Sequence, residues 1–146
     1  PALLSGLVTI IVLDCAIYWQ HRLTHIVPVF WRFHRVHHCD TEFDVSTAVR
    51  FHPVEIVASA LYKSTFVVLI GADPWAVVIY ESMLSGFALF NHGNVHLPKR
   101  LDRALRRVVV TPDMHRVHHS SLMKETNSNY GFNFPWWDRI FRTYKV

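Results

Sequence analysis

Cysteine is scarce in this chain of 146 residues: Cys15 and Cys39 have no metal-type spacing, which argues against a disulfide framework and leaves reduced thiols. A haem motif, a flavin fingerprint and a cysteine cluster are missing as well, so any electrons used in redox chemistry must come from another protein. There is no His-Glu-x-x-His motif, which removes the usual signature of a zinc hydrolase. The chain opens at Pro1 inside an apolar run, with no initiator Met, no basic n-region and no small-residue cleavage site. The expectation is therefore a piece of a longer protein without a signal peptide.

What is abundant is apolar surface. Hydrophobic residues make up 51%, and the mean hydropathy of +0.16 lies at the greasy end of soluble domains. The length limits the chain to one domain, 1–146. The net charge of +4 and pI of about 9.4 fit nucleic acid, an anionic membrane surface or loops beside membrane spans equally well, so position has to decide.

Apolar stretches run over 2–19, 54–70 and 75–90. At roughly 1.5 Å per helical residue the first crosses most of a bilayer core, and the other two are short of the usual requirement of about 20 residues. Gly71-Ala72-Asp73-Pro74 is a turn signal that would fold the second and third into a helical hairpin. With that parity, residues 21–52 and everything after Asn91 share one membrane face. Lys and Arg agree: of 15, four lie in 20–52 and ten follow Phe90, the excess expected of a cytoplasmic face. The expected fold is all-α: a transmembrane helical hairpin, a partial preceding span and a helical histidine cluster on the cytoplasmic face. A soluble all-helical domain with three core helices is the alternative.

Deep within the apolar stretches lie the charged residues Asp14, Lys63 and Glu81. Lys63 lies nine residues before Ala72 and Glu81 nine after it, so a hairpin brings them to equal depth as an ion pair; a snorkelling Lys and a cavity-facing Glu are the other possibility. Asp14 precedes His21 by two helical turns, where it either orients a ligand or makes a structural hydrogen bond.

Of 11 histidines, ten fall in four groups: His21 and His25; His34, His37 and His38; His92 and His96; His115, His118 and His119. Spacings of i, i+3 and i+4 place imidazoles on one helical face around a common centre. His-Arg-Val-His-His occurs twice, at 34–38 and at 115–119. Ten imidazoles exceed one coordination sphere, so two neighbouring ions are the economical reading, and iron suits the set better than a closed structural zinc site, with zinc a possible substitute.

These stretches carry a family resemblance. Asp14-x-x-x-Tyr18-Trp19-x-His21-Arg22-x-x-His25, Trp31-x-x-His34-x-x-His37-His38, Arg50-x-His52-Pro53-x-Glu55, Asn91-His92-x-Asn94-x-His96-Leu97-Pro98 and Thr111-Pro112-x-x-His115-x-x-His118-His119-Ser120 occur in order. They are followed by Asn129-Tyr130-Gly131, Trp137-Asp138-Arg139-Ile140-Phe141 and Arg142-Thr143-Tyr144. From Asp14 to Tyr144 the chain resembles the fatty acid hydroxylase and sterol desaturase superfamily of integral-membrane di-iron enzymes. It departs from that pattern in lacking the upstream membrane hairpin and in having Arg142 where many members have Gly.

The resemblance implies metal ligation by His21, His25, His34, His37, His38, His92, His96, His115, His118 and His119. It also implies two ferrous ions, O₂ and a lipid substrate that is hydroxylated or desaturated, with an external reductase, cytochrome or ferredoxin. His52, before Pro53, is expected to cap a helix or contact a ligand from behind. Asn94 is left without a role. Residues 99–107 form a basic amphipathic pattern suited to an anionic headgroup layer, in preference to nucleic acid, and the aromatic tail over 130–144 caps the metal face, lies at the interface or simply packs. The readings from other classes are a non-catalytic metal-binding or metal-transport membrane protein and, third, a zinc hydrolase.

Overall fold

In the computed structural model, residues 2–40 and 43–146 are described, and they are helical with no strand among them. Helix α1 (Ala2–Ile26) is followed by α2 (Pro28–His34), a 3₁₀ turn (Val45–Val49), α3 (Pro53–Leu69) and α4 (Pro74–Asn91). Four short helices complete the chain: α5 (Lys99–Leu105), α6 (Pro112–His118), α7 (Met123–Thr126) and α8 (Trp136–Ile140).

Helix α1 is longer than the apolar stretch that suggested it. The run of hydrophobic residues ends at Trp19, yet nothing from Gln20 to His25 breaks a helix and the first proline downstream is Pro28. Leu3–Ile26 is therefore a helix of 24 residues, long and apolar enough to cross a membrane, rather than a partial span. Its last two turns carry His21 and His25, so the metal face begins on the apolar helix itself and not beyond it.

Helices α3 and α4 have clear boundaries. His52 caps α3, its Nδ1 accepting from the Val54 N–H at 3.2 Å, with Pro53 in the first turn where its missing N–H costs nothing. Asp73 caps α4 by accepting from the N–H groups of Trp75 and Ala76 at 2.9 and 3.1 Å. Gly71, at φ 57°, supplies the left-handed residue in the connecting turn.

Both helices pack on α1 and make little direct contact with each other. Leu13, Ile17 and Tyr80 are buried where the three meet, with Phe66, Val67, Val77 and Leu84 against them. Lys63 Nζ reaches Glu81 Oε2 at 2.6 Å, so the ion pair forms and bridges α3 to α4. Outward, the helices present Leu3, Leu4 and Leu7 on α1, Val57, Leu61 and Val68 on α3, and Val78 and Ile79 on α4, all exposed. Apolar faces of this extent mark a membrane or a partner.

The C-terminal segment wraps back over α1. Asp14 accepts from Asn133 Nδ2 at 2.8 Å and Trp137 Nε1 at 2.7 Å, so it anchors the tail and does not touch His21. Tyr18 bonds Thr143 Oγ1 at 2.8 Å and stacks on Phe141. Asp138, fully buried, accepts from the N–H groups of Tyr130 and Gly131 and from the Thr143 hydroxyl at 2.7 to 2.9 Å. At Gly131 a Cβ would lie 2.7 Å from the Phe134 carbonyl and 2.8 Å from Asp138 Oδ2, so only glycine fits this close turn.

Candidate metal centre

The histidines converge from four helices. Five of them, His21, His25, His34, His38 and His118, bring one ring nitrogen each within 4.8 Å of one another, and His37, His92, His115 and His119 do the same beside them. The groups adjoin: His37 and His38 are chain neighbours, as are His118 and His119, and the rings of His38 and His119 stack at 4.2 Å. Each His-Arg-Val-His-His repeat thus contributes to both groups, with His34, His38 and His118 in the first and His37, His115 and His119 in the second.

Backbone carbonyls fix which nitrogen faces inward. His21 Nδ1 lies 2.8 Å from the Tyr130 carbonyl, His118 Nδ1 2.7 Å from that of Ser128 and His92 Nδ1 2.7 Å from that of Ala88. A carbonyl only accepts, so each Nδ1 carries the proton and each Nε2 is left with a bare lone pair. Yet His21 Nε2 and His118 Nε2 face each other at 3.1 Å. His92 Nε2 likewise lies 3.1 to 3.2 Å from the Nε2 atoms of His37, His115 and His119. Opposed lone pairs repel unless a cation lies between them, and about 3 Å is the separation of two imidazole nitrogens each about 2.1 Å from one ion.

Further buried ring nitrogens have no hydrogen-bond partner: both of His25, both of His38, Nε2 of His34, and Nδ1 of His37 and His115. Such orphans are costly in a closed protein interior, and a bound ion would relieve at most one nitrogen of each ring. Burial also holds the rings neutral, as ligands must be. It pushes His34, His37, His115, His118 and His119 well below the ordinary histidine range, with neighbouring imidazoles adding to the effect. His38 is lowered to about 2 for the same reasons and His92 to about 4 by burial. The residues present therefore fit metal.

Aromatic rings close the centre. Tyr130 lies edge-on to His21, His25 and His118, and Phe43 stacks on His92, with the Arg116 guanidinium 5.5 Å from the Phe43 ring centre. On the membrane-helix side a cavity of about 380 Å³ opens between α1, α3 and α4, with His21 and His34 in its wall beside Phe51, Ile56, Ala88 and Phe132.

A family model described as Fatty acid hydroxylase matches residues 6–143. The chain belongs to this family.

Among curated relatives, an ornithine lipid hydroxylase of Rhizobium tropici is 30% identical over 145 residues, 99% of this chain and 43% of that protein. The alkylglycerol monooxygenase of Homo sapiens is 29% identical over 133 residues, 91% of this chain and 29% of the relative. A Delta(7)-sterol 5(6)-desaturase of Gibberella zeae is 24% identical over 146 residues, covering 91% and 39%. The chain thus spans less than half the length of each. No solved structure matches it.

Two features of this chain differ from the expectation raised by its sequence. His96 is not brought to either group: its side chain is 75% exposed and its Nδ1 lies 3.0 Å from Asp113 Oδ1, beside Arg116. The i, i+4 spacing from His92 presumed a continuous helix, but α4 ends at Asn91 and the chain then runs irregularly to Pro98. Conversely, Glu55 has a role that its place in a motif did not specify. Its Oε1 lies 2.5 Å from His34 Nδ1, making a carboxylate–imidazole pair behind a candidate ligand. The only advance signal was an acid in the first turn of α3, three residues after the His52 cap.

Proposed function

We propose that residues 1–146 form the catalytic domain of an O₂-dependent di-iron oxidoreductase that hydroxylates or desaturates a membrane lipid. The observation that carries this reading is the opening of an apolar cavity onto His21 and His34, members of the first of two adjoining groups of buried, neutral imidazoles. In it His21, His25, His34, His38 and His118 hold one ion and His37, His92, His115 and His119 the other. His96, implied by the resemblance, lies outside this set as the side chains stand. Iron, when bound there, supplies the redox chemistry by which O₂ attacks an unactivated C–H bond.

The chain's own residues supply the rest. Ile56, Ala88 and Phe132 line a slot for a hydrocarbon chain beside His21 and His34, while Tyr130 and Phe43 shield the centre from water. Hydroxylation, RH + O₂ + 2e⁻ + 2H⁺ → ROH + H₂O, needs two electrons that no group in the sequence can deliver. An external reductase, cytochrome or ferredoxin must provide them.

The same contacts support a membrane arrangement. The His34–Glu55 and His37–His92 pairs put the C-terminal end of α2, the start of α3 and the end of α4 together, with the 70–73 turn away from them. In this reading α3 and α4 enter the bilayer as a hairpin beside α1, and the arginine-rich histidine face is cytoplasmic.

The test is iron content per chain in the full-length protein purified from membranes. About two irons are expected, lost in His37→Ala and His118→Ala and kept in His96→Ala. A lipid product gaining oxygen or losing hydrogen only in the presence of O₂ completes the assignment. A folded protein without metal, or turnover without O₂, removes it; metal flux across vesicles without lipid oxidation would indicate a transporter.

A further inference from the structure

A second cavity, of about 250 Å³, lies across α3 from the first. Leu23, Phe30, Phe33, Val54, Ala58 and Tyr62 line it, and none of these lines the first cavity. The helix periodicity of α3 explains the division. Val54, Ala58 and Tyr62 recur every four residues along one face, while Ile56, Ala60 and Lys63 lie on another and face the cavity at the metal centre. Between them runs a polar ridge of Glu55 and Ser59, which together with Gln20 and Thr24 of α1 borders both cavities.

This wall is hydrogen-bonded but not saturated. Ser59 Oγ donates to Gln20 Oε1 at 3.2 Å, tying α3 to α1. Thr24 Oγ1 donates to the His21 carbonyl at 2.7 Å, and Glu55 Oε1 is engaged by His34. The Gln20 carboxamide still has its two N–H donors. An apolar slot on each side of a narrow polar bridge has the chemical outline of a lipid whose two hydrocarbon chains meet at a carbonyl- or hydroxyl-bearing linkage.

We propose that the two cavities together hold one two-chain lipid: one chain in the first cavity beside His21 and His34, the other in the second, and the linkage oxygens astride the Gln20–Ser59 bridge. The inference rests on the proposed function and deepens it by naming the lipid class. A one-chain lipid would leave one slot empty and forfeit its contacts, and a fused-ring lipid cannot bend around the wall.

Retention of dioleoylphosphatidylglycerol and of its one-chain lyso form is measured on the iron-loaded, full-length protein in micelles by native mass spectrometry. The expected preference for the two-chain form is on the order of tenfold or more, since each additional buried methylene strengthens binding several-fold. Ala58→Trp fills the second cavity from a lipid-facing position and should bring two-chain retention down to the lyso level with lyso retention unchanged. Val54→Trp, at a second site on the same face, should do the same and guards against a folding defect in either variant. Ala60→Trp, in the first cavity, should weaken both lipids. Equal retention of the two forms by the unaltered protein, or an intact preference in both second-cavity variants, overturns the two-chain site alone. Undiminished retention and turnover in Ala60→Trp would also overturn the two-chain site, by removing the first cavity as the place of the reacting chain, while the proposed function would stand; that function fails separately, on a folded protein without iron or turnover without O₂.

Discussion

Glu55→Gln separates the two histidine groups by a measurable amount. His34 is the member of the first group backed by a carboxylate, Oε1 to Nδ1 at 2.5 Å, whereas His21 and His118 are backed by neutral carbonyls. Burial pushes Glu55 up to about 7, so its charge is present above that pH. A hydrogen bond to the ionised acceptor is about twice as strong as one to a neutral acceptor, and the negative charge makes the imidazole a better donor to a cation. Loss of such a partner typically lowers metal affinity by about 10–100-fold, or about 1.4–2.7 kcal/mol. Glutamine keeps an acceptor oxygen and should fall near the lower figure; Glu55→Leu removes it and should approach the upper.

The effect should be confined to one ion, because the second group, His37, His92, His115 and His119, shows no hydrogen bond to Glu55. Metal-stripped protein is titrated with Fe²⁺ against a chromophoric chelator, and two binding steps are resolved. One step should weaken and the other stay in place. Two unchanged steps, or two that weaken equally, would refute the claim that Glu55 acts through His34 on a single ion.

Three further outcomes follow from the packing and electrostatics. Asp138→Asn turns an amide toward the N–H donors of Tyr130 and Gly131 and should cost about 2–4 kcal/mol; thermal unfolding in micelles with an unshifted midpoint would contradict it. In metal-stripped protein, His37, His115 and His118 are fully buried and held below the usual range, so the unfolded chain binds protons near pH 6.5 that the folded chain refuses. Stability should therefore be lost as pH falls below 6.5, by about 1.4 kcal/mol per histidine at pH 5.5, and a stability flat between pH 7 and 5 would count against neutral burial. Glu81→Leu alone strands Lys63 among apolar helices at a cost of roughly 1–3 kcal/mol, while Lys63→Met with Glu81→Leu should recover most of it; additive losses in a double-mutant cycle would mean that the pair is not coupled.

What could be read from the sequence was what repeats locally. Spacings of three and four within a helix placed His34 with His38 and His115 with His119 on shared faces, and the turn residues at 71–74 and the His52-Pro53 cap were equally local signals. What local spacing could not convey was a helix boundary or a distant partner. His96 was assigned with His92 on a helical spacing that the chain abandons after Asn91, where the tight turn leaves no room for a side chain at Gly93: a Cβ there would lie 3.0 Å from the Phe90 carbonyl. For Asp14, two turns before His21, spacing left open whether it orients a ligand or makes a structural hydrogen bond, and it makes the second. Its partners lie 119 and 123 residues downstream, beyond what periodicity can report. Glu55 meets His34 across two helices and an intervening 3₁₀ turn, so its role required the packed structure.

The carbonyls behind His21 and His118 belong to Tyr130 and Ser128, and the donors on Asp14 belong to Asn133 and Trp137. Helix α1 thus leaves synthesis with its polar groups on an apolar rod and waits for most of the chain to be made before they are matched. The final segment acts as a keystone: until it docks, His21 has no fixed tautomer and Asp14 has no donors. On the proposed function, metal capture would accordingly follow docking of the segment that carries Ser128 and Tyr130, the step that readies His118 and His21 together.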